Sequence, residues 1–190
     1  MKGYFGIGVE GISKPMNVGT LFRTAHAFGA SFVFTVNAQY RRREGVRADT
    51  SDTPGAVPAW HFDTLETFCL PQGCQLVGIE ISTEATDLPS FRHPRQAAYL
   101  LGSEREGLSP AAQALCDFVV RIPTKFSVNL GVAGAIVMYD RLISLGRFAD
   151  RPVVTGGATD VLPPPVFGEP VWKRRLRQKA ARAALRSPGT

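Results

Sequence analysis

A chain of 190 residues that is 44% hydrophobic is long and apolar enough to bury about two-thirds of its unfolded surface in a single core. It has no run of 18 apolar residues and no charged-then-apolar leader, so the expectation is a soluble, cytoplasmic protein with no membrane partner. The three cysteines, Cys69, Cys74 and Cys116, are odd in number and form no C-x-x-C pair, which argues against a metal site or a disulfide framework.

In chain order, GYFGIGVEG (3 to 11) and ASFVFTVN (30 to 37) read as buried strands. Between them Val18, Leu21, Phe22, Ala25 and Phe28 recur at helical spacing, with Asn17 as the predicted N-cap and Gly29 as the stop. Residues 38 to 60 show no periodicity and predict a long irregular or partly helical connection. DTLETFCL (63 to 70) predicts a short helix capped at Asp63, with Glu66 at the capping-box spacing. CQLVGIEIS (74 to 82) and QAAYLLGSE (96 to 104) predict strands, and Ser109-Pro110 opens the helix PAAQALCD before the strand FVVRIP. A last helix is expected from about Val128 to Leu145, ended by Gly146. This alternation gives an α/β fold, a mostly parallel sheet flanked by helices, over residues 1–149. Residues 150–190 then form a Pro-rich linker and a basic C-terminal extension.

The net charge of +6 is unevenly placed. Residues 171 to 190 hold seven Lys and Arg and no acid, so removing them leaves −1 for residues 1 to 170. Such a tail suits a polyanionic partner. A second basic cluster, Arg41, Arg42, Arg43 and Arg47, lies in the long connection.

Ligands of a parallel sheet gather at the carboxyl ends of its strands. Three unusual segments fall there. In NVGTLFRTA (17 to 25), Gly19, Arg23 and Ala27 stack opposite the apolar face, with His26 beside them, and the glycine costs about 1 kcal/mol relative to alanine. In LLGSEREGL (100 to 108), Gly102 lets a flat ligand lie against the backbone while Glu104 and Glu106 orient a polar group. In RIPTKFSVNLGVAGAIVMYD (121 to 140), Ser127 is the expected helix cap, Asn129 lies in the first turn, and Gly131, Gly134 and Ala135 form a small-residue stripe for a close neighbour. No G-x-G-x-x-G after a strand, P-loop or G-x-S-x-G is present, which weakens dehydrogenase, kinase and hydrolase readings.

Taken in order, N-x-G-x-x-x-R-x-A (17 to 25), L-G-x-E-x-x-G-L (101 to 108) and I-P-x-x-x-x-S-x-N (122 to 129) resemble the three motifs of the SpoU (TrmH-like) branch of the SPOUT RNA methyltransferases. The resemblance spans about residues 3 to 146. It implies a C-terminal trefoil knot, a homodimer, and S-adenosylmethionine as cofactor, held by Ile79, Gly102, Ile122, Ser127, Asn129 and Leu130. It also implies a catalytic set of Arg23, Asn17, Glu104, Ser127 and Asn129, acting on a ribose 2′-hydroxyl of tRNA or rRNA. Arginine is too weak an acid to serve readily as a base, so Arg23 is read as a ligand of the target phosphate or the developing alkoxide. RNA contacts are expected from Arg41, Arg42, Arg43 and Arg47, and from Lys173, Arg174, Arg175 and Arg177. Trp60 and Trp172 are either core residues or platforms for unpaired bases. A base-methylating SPOUT enzyme and a catalytically silent RNA-binding or ribosome-assembly protein are the alternatives.

Overall fold

The computed structural model describes residues 3–39, 56–146, 148, 155 and 156. Contacts divide the chain into a compact unit, Met1–Arg147, and a second unit, Phe148–Thr190. The expected linker and basic extension, and the candidate RNA contacts Arg41, Arg42, Arg43, Arg47, Lys173, Arg174, Arg175 and Arg177, lie outside the described residues, as does Trp172.

The elements of the first unit are β1 (Tyr4–Glu10), α1 (Pro15–Ala27), β2 (Phe32–Val36), β3 (Ala59–Phe62), β4 (Gln75–Ile79), β5 (Thr86–Asp87), β6 (Gln96–Leu101), α2 (Pro110–Leu115), β7 (Phe118–Arg121) and α3 (Leu130–Leu145). They build one seven-stranded sheet in the order β3-β2-β1-β6-β4-β7-β5, and every pairing is parallel. Both faces of the sheet are covered, which is why its central strands are almost continuously apolar instead of alternating. On β6, Ala97, Tyr99 and Leu101 join the core beneath α1 and α3, while Ala98 and Leu100 join the core on the opposite face, near Leu108 of the following loop and Ala112 of α2.

Helix α1 begins two residues before the expected cap. Lys14 is the N-cap and Pro15 the first helical residue, whose fixed φ starts the turn and needs no hydrogen-bond partner for its nitrogen. Asn17 therefore sits inside the first turn and its side chain is released for other use. At the far end Gly29, at φ +75°, ends the helix as expected, with Ala30 N–H returning to Ala25 O at 2.9 Å. Gly19 is buried within the chain, whereas Arg23 and Ala27 are exposed, so the three do not share one solvent face.

The small-residue stripe of α3 has its close neighbour in α1. A Cβ on Gly134 would lie 2.3 Å from Leu21 Cδ1, and one on Gly131 would lie 2.7 Å from Thr20 Cγ2. Near the other end of α3, the buried Arg141 donates to the carbonyls of Tyr4 (3.2 Å) and Arg95 (2.8 Å) and to the Tyr99 hydroxyl (3.1 Å). Those bonds meet the desolvation cost of its charge.

Three local readings need correction. Residues 63 to 70 are turns, not a helix, because Thr67 Oγ1 donates to Thr64 O (2.9 Å) and accepts from Thr64 N–H (3.3 Å), offering the backbone a competing partner just before Pro71. The end of the long connection contains the edge strand β3, which puts Trp60 in a stack on Phe32 at 4.7 Å between ring centroids. Helix α3 starts at Leu130, and its cap is Asn129, not Ser127.

Candidate active site

Because all seven strands run the same way, their carboxyl ends share one edge of the sheet. At that edge the segments following β4, β6 and β7 enclose a cavity of about 390 Å³, a volume ordinary for a small-molecule site. Ile79, Leu101, Ile122 and Leu130 give it apolar walls, and Glu80, Glu104, Ser127 and Asn129 give it polar ones. All six residues expected around the cofactor, Ile79, Gly102, Ile122, Ser127, Asn129 and Leu130, line this one cavity.

Glu104 links the beginnings of two helices. Its Oε1 accepts from the side-chain amide of Asn17 on α1 and from Asn129 Nδ2 (3.3 Å) at the start of α3, while its Oε2 pairs with Lys14 Nζ at 2.7 Å. Asn129 uses both ends of its amide, because its Oδ1 also accepts from Gly131 N–H at 2.9 Å to cap α3. One side chain thus fixes where α3 starts and where Glu104 points. With two amides and an ammonium taking its oxygens, Glu104 is equipped to organise the site.

Of the expected catalytic set, Asn17, Glu104 and Asn129 are brought into direct contact. Ser127 joins them through the wall of the cavity. Arg23 lies six residues beyond Asn17 on α1, about 9 Å along the helix axis, on an exposed position outside the cavity lining.

The loop after β6 is held from both neighbouring strands. Glu80, just past β4, accepts from Leu108 N–H (2.6 Å) and Ile81 N–H (2.8 Å). Glu10, the last residue of β1, accepts from Ser109 N–H (2.9 Å) and Ser109 Oγ (2.7 Å). Ser109 in turn caps α2 by accepting from Ala112 N–H at 3.1 Å. Gly102 also serves this loop: a Cβ there would lie 1.9 Å from Gly107 C and 2.1 Å from Leu108 N. Its small size therefore admits the returning backbone of its own loop.

Lys14, Glu10 and Glu80 were not among the residues expected at the site. A signal for the two carboxylates did exist: an acid closing an apolar strand must find donors or remain in water, and both GIGVE and LVGIE carry that pattern. Lys14 has no such mark, being one lysine before a proline.

Residues 5–139 match the SpoU rRNA Methylase family. The chain is 28% identical over 137 residues to the tRNA (guanosine(18)-2′-O)-methyltransferase of Escherichia coli K12, covering 70% of this chain and 60% of that protein. It is 29% identical over 140 residues to the 23S rRNA (guanosine-2′-O-)-methyltransferase of Neisseria meningitidis, covering 68% of this chain and 54% of the other. The crystal structure of an AdoMet-bound rRNA methyltransferase from Sinorhizobium meliloti superposes with a TM-score of 0.67 at 26% identity, over 75% of this chain and 57% of that one. The chain thus spans no more than 60% of the length of each of these three proteins. With its matched region holding all three motif segments and the walls of the cavity they build, the chain belongs to the SpoU rRNA methylase family.

Proposed function

We propose that this protein is an S-adenosylmethionine-dependent RNA methyltransferase that modifies a ribose 2′-hydroxyl of tRNA or rRNA. The observation that carries the reading is the cavity at the carboxyl edge of the sheet, where the Gly102–Leu108 loop and the segment from Ile122 to Leu130 meet. Its apolar walls suit an adenine ring, and its carboxylates suit a cationic ligand. The names of the relatives support both halves of the reading, since two are guanosine 2′-O-methyltransferases and the third is an AdoMet-bound rRNA methyltransferase.

When bound, S-adenosylmethionine supplies a methyl group on a positively charged sulfur. The chain's own task is to bring a ribose hydroxyl into line with that methyl and to stabilise the charge that develops on its oxygen. Ile79, Ile122 and Leu130 would grip the cofactor, and the cluster of Lys14, Asn17, Glu104 and Asn129 would fix the edge past which the ribose enters. Arg23, permanently charged, would hold the target phosphate or the nascent alkoxide. Its distance from the cavity fits a homodimer in which Arg23 of one chain completes the site of the other. The trefoil knot, a cytoplasmic location and RNA contacts from the two basic clusters belong to the same proposal.

The test is transfer of radiolabelled methyl groups to unmodified tRNA and rRNA, followed by digestion to nucleosides. Label in a 2′-O-methylated nucleoside supports the reading. Label in a base, or no label in either pool with cofactor binding intact, defeats it.

A further inference from the structure

Between β7 and α3 the chain bends at Lys125 and Phe126. Thr124 and Ser127 line the large cavity and the two residues between them do not, so Lys125 and Phe126 form a tip on its rim. The backbone of the tip is held from within. Thr124 N–H donates to Ile122 O at 2.8 Å, and Thr124 Oγ1 donates to Phe126 O at 2.8 Å. Phe126 is nevertheless 77% exposed, the most open large apolar residue among those described, and it belongs to neither core.

The composition of the tip selects its partner. Its exposed neighbours Pro123, Thr124 and Ser127 include no second large apolar side chain. One ring is too little for a protein partner, since a stable protein contact buries about 800 Å² on each side. Lys125 has no ion-pair partner among the described residues. A flat apolar face beside a cation matches a nucleotide, which sets one flat base beside one anionic phosphate. A base inside a duplex has both faces covered by its neighbours, so only an unpaired base can take the ring.

We propose that the Lys125–Phe126 tip holds an unpaired nucleotide of the RNA at the rim of the cavity: a base stacks on the Phe126 ring, and a neighbouring phosphate pairs with Lys125. Every base has a face that can stack, so the tip requires the nucleotide to be out of the duplex and leaves the choice of base to other contacts. The inference rests on the RNA methyltransferase reading above.

The experiment compares the full chain with its Phe126→Ala, Phe126→Trp and Lys125→Gln variants. It measures methyl transfer to unmodified tRNA and rRNA, cofactor affinity, oligomeric state, and affinity for a single-stranded RNA and for the same strand annealed to its complement at several salt concentrations. The exposed ring supports no core, so Phe126→Ala should fold as the wild type does. It should lose about tenfold in kcat/KM for RNA and the wild type's preference for the single strand, whereas Phe126→Trp, which keeps a stacking face, should retain both. Lys125→Gln should lower the slope of log affinity against log salt for the single strand by about 0.7, and an unaltered slope would overturn the phosphate contact. Unchanged kcat/KM in Phe126→Ala, or a wild type that binds single strand and duplex alike, overturns the proposal and leaves the methyltransferase reading intact. A matching loss of cofactor affinity would assign the ring to the cavity, and dissociation of a wild-type dimer would assign it to a second copy; either overturns the proposal. Wild-type protein that methylates no ribose overturns both readings.

Discussion

Glu10 and Glu80 hold consecutive backbone amides of one loop from opposite sides: Ser109 N–H donates to Glu10 at 2.9 Å and Leu108 N–H to Glu80 at 2.6 Å. Glu10 ends β1 and Glu80 directly follows β4, the two strands that flank β6, and the loop they hold is the one that follows β6. The position of that loop is thereby referred to three strands at once. Because it walls the candidate cofactor cavity, its order bears directly on ligand affinity.

Replacing Glu80 with alanine should leave the Leu108 amide without its acceptor and lower stability by about 1–3 kcal/mol. Cofactor affinity should fall several-fold with it, since Glu80 lines the cavity. Chemical denaturation and calorimetric titration measure the two effects. Lost stability with full cofactor affinity would confine Glu80 to the fold.

Arg23→Ala should reduce methyl transfer by at least about a hundredfold, the scale of losing one charge-stabilising donor. Cofactor affinity should stay near that of the wild type, because Arg23 lies outside the cavity lining. Single-turnover transfer and equilibrium cofactor binding separate these outcomes, and unimpaired transfer would remove Arg23 from the mechanism.

The α1–α3 contact makes opposite forecasts for its two glycines. Gly134→Val drives a side chain into Leu21, which is fully buried, and should cost about 1–3 kcal/mol. Gly131→Ala meets chiefly Thr20, an exposed residue that can move, with Asn129 Oδ1 at 3.4 Å in ordinary contact, and the gain in helix propensity of about 1 kcal/mol should bring the net change close to zero. Thermal melts of the two variants decide the matter.

His93 should make the fold sensitive to acid. Burial lowers its pKa, partly opposed by the hydrogen bond to Asp140. A histidine held neutral in the native state binds fewer protons than in the unfolded chain, so stability rises with pH and this contribution is complete only above the ordinary value of about 6.5. Below it, stability should decline as the pH falls towards the lowered native value. A melting temperature that drops on acidification in the wild type, and drops less in His93→Gln, is the expected pattern; parallel curves would assign the acid sensitivity elsewhere.

The three thiols should react in a set order. Cys69 is exposed, whereas burial raises the pKa of Cys74 and pushes that of Cys116 up to about 11. Since the thiolate is the reactive form, alkylation of the native protein near neutral pH should label Cys69 first and Cys116 last. Peptide mapping over time reads the order directly, and early labelling of Cys116 would contradict it.

The parallel sheet was legible because its strands are apolar on both faces, and the helices because of their apolar spacing and the punctuation of Gly29, Ser109 and Gly146. Errors fell where side chains compete for the backbone. Thr64 and Thr67 outweighed an apparent capping box, and Asn129 took the cap that Ser127 seemed placed to supply. At the candidate site, the segments were recognisable from residue types at fixed spacing. The pairings of Lys14, Glu10 and Glu80 were not, because their partners are 90, 99 and 28 residues away in sequence: an acid closing an apolar strand signals a need for donors but not which donors meet it.

The strand order carries a consequence for assembly of the fold. Strands β3, β2 and β1 form one side of the sheet and β4, β7 and β5 the other, and β6 alone hydrogen-bonds to both. Strands β1, β2 and β3 can gather before β6 exists, but β4 and β5 both pair with β7, which follows β6 in the chain, and neither β1 nor β4 has its inner neighbour until residues 96–101 arrive between them. Closing the sheet therefore demands contacts distant in sequence, the kind that slow folding. A chain interrupted before β6 would leave β1 with an open, apolar edge and β4 with no partner strand at all, so the strand leading into the candidate catalytic loop is also the one that makes the two halves a single body.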